Sequence, residues 1–232
     1  AVTTLTTVIE EHVEDGALDV FRELEWEIAH GGDIAPDSDS PERDNYTQGF
    51  LRSRLEAAVG RVPRNREIPH SAREDAIRQV TTFQTNHLLA DNHQLHKWLI
   101  EGVPVEFASD GGTRNDRVQL IDWDNPEAND FLAVRQFTVI ERDQRRADVV
   151  AFVNGLPLGL IELKSPVDDD ATVESAYNQL ETYKRSLPNF LAYNGVLVAS
   201  DDWEARVGSL SANFDRFSPW RAIEGPDDYY PP

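Results

Sequence analysis

The chain contains no cysteine and no methionine in 232 residues. The first absence excludes a disulfide framework, a thiolate zinc site and a cysteine nucleophile. The second means that an initiator was removed or lies outside this numbering. Lysine is nearly missing too: Lys97, Lys164 and Lys184 are the only lysines among 22 basic residues, and the rest are arginine. No apolar run approaches the roughly 20 residues that span a bilayer. Ala1 to Asp15 is polar and acidic, without the basic start of a signal peptide. The expectation is a cytoplasmic protein with no membrane partner. No G-x-x-x-x-G-K-[ST] phosphate loop occurs, so the chain carries no such ATP site of its own. None of the six histidines has metal-ligand spacing with a partner; His93 and His96 are three apart but have no further cluster.

What the chain has in excess is negative charge: 42 acidic residues against 22 basic ones, a formal net charge of -20. With so little lysine, this composition suits a surface that stays hydrated in very high salt. It argues against unaided tight binding to DNA, which needs clustered cations. A nucleic-acid role would have to rest on a local site, on metal ions or on partners. Hydrophobic residues make up 40% of the chain, enough for a substantial core.

The pattern is helical first. Val8 to Trp26 repeats apolar residues at steps of three and four, and Gly31-Gly32 is expected to stop that helix. Asp33 to Asp44 reads as a loop. Further helices are expected over about Tyr46 to Val59, Ser71 to Leu89 and Asp91 to Ile100, with Ser71 as N-cap and Glu74 completing a capping box. After Gly102 the pattern turns to strands: Val118 to Asp122, Phe131 to Glu141, Asp148 to Val153 and Leu158 to Leu163. Asn154-Gly155, between the last two, is a strong hairpin signal. A helix follows over about Ala171 to Leu187, ended by Pro188, and then a buried strand over Gly195 to Ala199. The expected architecture is α/β, a mixed central sheet flanked by helices with additional N-terminal helices. One domain over 1–224 is expected, helical to about 101 and sheet-based from 102, with 225–232 as a linker.

One constellation carries chemistry. If Asn154-Gly155 is the turn, Asp148 at the start of one strand meets Glu162 and Lys164 at the end of the other. Alternation puts Glu162 and Lys164 on one face. Two carboxylates and an ammonium at the rim of an apolar sheet are costly unless they serve one another or an ion. Such oxygen ligands suit Mg²⁺, which takes one or two carboxylates and keeps several waters. Lys164 would orient a water or stabilise charge on phosphorus. An ion pair at a strand end is the plainer alternative.

The stretch Asp148 to Leu158 followed by Ile161-Glu162-Leu163-Lys164 resembles the N-terminal nuclease domain of the restriction (R, HsdR-type) subunit of type I restriction-modification enzymes. The resemblance extends through Gly102 to Val105, Leu120 to Pro126, Asn129 to Leu132, Gln136 to Val139, Gln179 to Lys184, Ser186 to Pro188, Tyr193-Asn194 and Arg206 to Leu210. It implies the PD-(D/E)xK fold, with Asp148 and Glu162 as metal-binding carboxylates and Lys164 as the catalytic lysine. Gln179 and Tyr183 match the Q-x-x-x-Y motif of the RecB-like branch, although Tyr183 also fits the apolar stripe of its helix. An acidic residue on the first helix belongs to the pattern; Glu14 fits best and Glu10 second, among residues that also read as a solvated face. Two positions depart from it: Ala147 stands where proline usually precedes the aspartate, and Arg135 where asparagine usually precedes Gln136. Arg142, Arg145 and Arg146 form a small basic cluster before Asp148 that could seat a DNA backbone, or could pair with Glu141 and Asp143. The resemblance further implies a Mg²⁺-dependent deoxyribonuclease (Mn²⁺ as substitute), double-stranded DNA as substrate, methyltransferase (M) and specificity (S) subunits as partners, and ATP acting only through a motor region beyond this chain. A docking or coupling module on the same fold, with little nuclease activity of its own, is the other possibility, and the net charge is its best argument.

Overall fold

A computed structural model of the chain describes residues 14–82, 87–109, 111–164, 172–201 and 203–220. The described chain opens with a helix, α1 (14–23), and a short strand, β1 (Glu27–His30). Three helices follow: α2 (Arg52–Arg61), α3 (His70–Thr81) and α4 (Leu88–Glu101). A hairpin of β2 (Val103–Ser109) and β3 (Gly112–Val118) leads to three long strands, β4 (Phe131–Ile140), β5 (Gln144–Val153) and β6 (Leu156–Leu163). Then come α5 (Val173–Ser186), α6 (Pro188–Ala192), β7 (Val196–Ser200), β8 (Ala205–Gly208) and β9 (Ser218–Pro219).

Seven strands form one mixed sheet in the order β1-β4-β5-β6-β7-β8-β9, and β2-β3 stands apart as a two-stranded sheet. The middle of the large sheet is an antiparallel meander, β4-β5-β6. β1 joins β4 in parallel and β7 joins β6 in parallel, the latter through the α5 crossover. The expected α/β class and mixed central sheet are therefore what the chain forms, consistent with a restriction-endonuclease-like fold. Helix α1 covers one face: Leu18 packs with Ala133 and Val149, joined by Phe21, Trp26, Ile161 and Leu163. Helix α5 covers the other, where Ala176, Leu180 and Tyr183 meet Val150, Phe152 and Leu160. The layer made by α2, α3, α4 and the small hairpin has its own core around Leu55, Ile77, Leu95, Val103 and Val118.

The Asn154-Gly155 turn forms as its sequence demands. Both residues are left-handed, with φ of 52° and 77°, the pairing of a type I′ turn. The turn is buried. Asn154 donates to the Leu120 carbonyl at 2.8 Å and to Asn129 Oδ1 at 2.7 Å, and accepts from the Asp130 N–H at 2.7 Å. A Cβ on Gly155 would stand 2.3 Å from the Leu51 carbonyl oxygen, so glycine is required there for space as well as for φ.

Several expected boundaries move. The first helix ends before Trp26: Glu25 adopts φ 60°, and Glu27–His30 becomes an edge strand inside the region read as helical. The part of that helix before Glu14, with Glu10, lies outside the described residues. The helix expected from Tyr46 starts at Arg52, and that expected from Asp91 starts one turn earlier, at Leu88. Ser71 does not cap α3. Pro69 holds extended backbone at that position, and its carbonyl accepts from the Ala72 and Arg73 N–H groups, so the helix begins a residue earlier with no side-chain cap. The capping box is found in α5 instead, between Thr172 and Ser175. Gln119 to Asp122 is not a strand. Asn65, fully buried, takes the place of a neighbouring strand, donating to the Gln119 carbonyl and accepting its N–H, both at 2.8 Å. Pro188 ends α5 and opens α6.

Candidate active site

The registers of the meander place the site. Val149 pairs with Ile161 across β5-β6, and Arg135 with Val149 and Phe137 with Ala147 across β4-β5. Continuing these ladders sets Asp148 level with Gln136 on one side and Glu162 on the other, and Glu162 is itself level with Ala199 of β7. The chemistry-bearing residues thus lie in one row across four strands. At this row the burial pattern changes parity. Leu132 and Val134 face the α5 side before it on β4, and Phe137 and Val139 after it. On β5 the switch falls between Ala147 and Val150. The hinge of the change is Gln136, whose φ of 57° is uncommon for a residue with a side chain. Because the strands change face here, helices on opposite sides of the sheet both reach the row: α1 brings Glu14 and α5 brings Gln179 and Tyr183.

Glu162 is 2% exposed. Its Oε1 accepts from Lys164 Nζ at 2.7 Å, and its Oε2 is 3.0 Å from the Tyr183 hydroxyl. That hydroxyl also reaches the Arg146 carbonyl at 2.9 Å, and Gln179 Nε2 donates to it at 3.4 Å. Asp148 Oδ2 accepts the Leu163 N–H at 2.8 Å, which ties the carboxylate to the strand carrying Glu162 and Lys164. Glu14, 7% exposed, accepts from Gln136 Nε2, while its neighbour Asp15 pairs with Arg135 at 3.3 Å. The expected alternation of Glu162 and Lys164, and their meeting with Asp148, are present.

The electrostatics are those of a site short of positive charge. Burial, then the Asp148 carboxylate, push Glu162 up to about 8, against the Lys164 ammonium and the Tyr183 hydroxyl. Burial and Asp148 likewise push Glu14 up to about 7, against Gln136, Arg135 and Arg146. Burial and the Glu162 charge raise Tyr183, which keeps it a neutral phenol that can donate to Glu162 or to the Arg146 carbonyl.

The arginine cluster divides. Arg145 faces α5 and donates to Ser186 Oγ at 3.2 Å and to Asp143 at 3.3 Å. Arg142 donates to the Arg185 carbonyl at 3.2 Å, and both arginines thereby tie the β4-β5 turn to the end of α5. Arg146 is exposed, and its charge acts on Glu14. Two residues to which the sequence analysis gave no site role complete the neighbourhood. Gln136 is visible only through its backbone and its bond to Glu14. Asp201 accepts the N–H groups of Val173, Trp203 and Glu204 at 3.0, 3.2 and 2.9 Å, joining the start of α5 to the turn after β7.

The model of the type I restriction enzyme R protein N terminus matches residues 9–216, nearly the whole chain and every residue of this row. The chain belongs to that family. Curated relatives include the type I restriction enzyme HindI endonuclease subunit of Haemophilus influenzae, 34% identical over 217 residues and 93% of this chain. A Methanocaldococcus jannaschii protein named as the MjaIXP endonuclease subunit is 30% identical over 220 residues, again 93% of this chain. The R-protein N-terminal chain described here spans about a fifth of the length of these relatives, 20% and 21% respectively.

For the divalent cation that such a nuclease fold implies, the donor set is suitable. Among the described residues no three acidic or histidine side chains close into a complete cage. Asp148 and Glu162 are two carboxylates of the kind that would hold a divalent cation keeping most of its own waters. The raised Glu162 and Glu14 are what an added positive charge would relieve. Among the described residues no helix is long and apolar enough to cross a membrane.

Proposed function

We propose that this chain is the Mg²⁺-dependent DNA endonuclease domain of a type I restriction enzyme R subunit, forming one unit over 1–224 with 225–232 leading toward an ATP-driven motor. In this reading the M and S subunits choose the site on double-stranded DNA, and translocation by the motor triggers cleavage in the cytoplasm. The observation that carries the reading is the row itself: Asp148, Glu162 and Lys164 held together at the sheet rim with Tyr183 on Glu162.

Asp148 and Glu162 would hold the cation, with Glu14 beside Asp148 as a third acidic group. A cation there supplies a water of lowered pKa and offsets the charge of the scissile phosphate. Lys164 orients the attacking water and stabilises negative charge as it grows on the phosphate oxygens. Tyr183 fixes one oxygen of Glu162, and Gln179 fixes Tyr183, so the pair act as positioning residues. Arg146, exposed beside the row, is the arginine of its cluster placed to meet a phosphate; Arg142 and Arg145 would contribute at the rim of the β4-β5 turn.

The test is calorimetric titration of Mn²⁺ in molar salt on the wild type and Glu162→Ala. Stoichiometric binding lost in the variant is the expected result. Equal weak binding in both would mean that the acidic surface only collects ions, and the docking-module reading would take over.

A further inference from the structure

The turn after β7, the fourth strand of the row, carries an aromatic group that the chemistry above does not use. Trp203 is 88% exposed, the most exposed of the large hydrophobic residues described. Leaving an indole in water forgoes the burial that makes tryptophan useful in a fold. Yet the turn that carries it is firmly built. Asp201 N–H donates to the Glu204 carbonyl at 3.1 Å, and the Asp201 carboxylate accepts the Trp203 and Glu204 N–H groups while its other oxygen holds the first N–H of α5. The turn joins β7 to β8, with Ser200 opposite Ala205.

Its position matters more than its exposure. Ser200 is level with Leu163, and its carbonyl accepts the Lys164 N–H at 2.8 Å. Trp203 lies three residues on, so its Cα stands within about 11 Å of that of Ser200. Trp220, 58% exposed, donates its backbone N–H to the Ala205 carbonyl at 2.7 Å, which sets a second tryptophan at the same end of the β7-β8-β9 edge. Among the described residues of the turn, Glu204 pairs with Arg206 at 2.6 Å, and Asp201 accepts three backbone N–H groups.

We propose that Trp203 is a DNA-contacting residue that stacks on a base next to the scissile phosphate. The inference rests on the nuclease reading above. A chain of net charge -20 has few cations with which to hold a polyanion, and stacking on a base face does not depend on them. The same negative charge favours a base over the backbone as the surface the ring meets. Trp203 would hold the strand beside Asp148, Glu162 and Lys164, and its contribution would persist in salt that screens arginine contacts.

The test uses the 232-residue chain and fluorescein-labelled oligonucleotides, duplex and with a single-stranded overhang, in molar salt with Ca²⁺. Binding is read by anisotropy for the wild type, Trp203→Ala, Trp203→Phe and Glu162→Ala, each also titrated with Mn²⁺ by calorimetry. Trp203→Ala is expected to weaken binding about 5- to 100-fold, with the larger loss on the overhang. Trp203→Phe should recover most of that loss, and Mn²⁺ binding should be unchanged in both. Equal DNA affinity for the wild type and Trp203→Ala would overturn the proposal, as would failure of the wild type to bind any of these oligonucleotides. Failure of the nuclease reading shows elsewhere, as Mn²⁺ binding that does not respond to Glu162→Ala.

Discussion

Two clusters in this molecule each bring three carboxylates together, and they behave in opposite ways. In the first, Arg54 pairs with Glu42 at 2.5 Å, Glu27 at 2.8 Å and Asp130 at 3.2 Å, tying α2 to β1, to the loop before it and to the start of β4. The guanidinium fork reaches all three acids. Its hydrogen bond holds Glu27 below the usual carboxylate range, and the acids raise Arg54 in turn. In the second, Lys164 pairs with Glu162, Asp148 stands beside both glutamates, and Glu14 feels the charges of Arg135 and Arg146. There burial and mutual repulsion win, and both glutamates are pushed up. The difference lies in donor geometry and burial: one fork bonds three acids in the first, and in the second the cations are spread over separate residues while burial dominates. A satisfied cluster is a clamp. An unsatisfied one is a vacancy in charge that a divalent cation fits.

The comparison can be broken or sharpened by substitution. The largest effect is expected from Glu162→Gln on DNA cleavage by the complete subunit: a loss of at least about 10³-fold, roughly 4 kcal/mol, with Arg54→Ala leaving the rate per folded molecule unchanged. Next is Arg54→Ala on stability. It strands three acids and should cost about 3 kcal/mol in chemical denaturation at pH 7. That cost should shrink in acid, because the Glu27 contribution is present above its unfolded pKa and lost as pH falls through its lower folded value.

The third prediction has the opposite sign. In the folded, metal-free protein Glu14 and Glu162 sit above the ordinary 4.5, at about 7 and about 8. The folded state therefore binds more protons than the unfolded state across that window, and stability falls as pH rises from about 4.5 to 8. Glu162→Gln should flatten this limb and stabilise the metal-free protein at pH 8 by about 2 kcal/mol, read as a higher Tm. Saturating Mg²⁺ should raise the wild-type Tm and not that of the variant. The smallest effect is expected from Tyr183→Phe, which removes one hydrogen bond to Glu162 and should slow cleavage about tenfold or less. An unchanged rate would make Tyr183 a packing residue only.

The two clusters also differed in how far they could be read beforehand. Asp148, Glu162 and Lys164 were legible because a two-residue turn fixes the register of its hairpin, and Asn154-Gly155 has the residues that such a turn requires. Helix α5 was legible from its stripe. The Arg54 clamp was not, since it joins segments whose proximity depends on β1, and β1 is four residues following a helix whose periodicity runs on through Trp26. Glycine does not mark that break; Glu25 takes the left-handed backbone itself. The β2-β3 hairpin was missed although Gly111-Gly112 is a turn signal, because Pro104 and the polar run Thr113 to Arg117 obscure the alternation. Gln136 opens one of the family-like blocks, but nothing in the sequence marked its left-handed backbone or its bond to Glu14. Its conformation is set by long-range packing: a Cβ on Gly31 would meet the Gln136 carbonyl at 2.3 Å, so the β1 end and the face switch fit only with glycine between them.

The return of α1 to the middle of the sheet also orders events during synthesis. β5 and β6 meet across a turn whose paired residues are Val153 and Leu156, so that hairpin can zip as it leaves the ribosome. Glu14 and Gln136, by contrast, are 122 positions apart, and the first helix waits for most of the domain before it finds its partner. The acidic row thus joins a local hairpin to a segment far away in sequence. Glu14 reaches the row only through a contact of high sequence separation, and a nascent chain holds an incomplete charge site until the sheet beneath it exists.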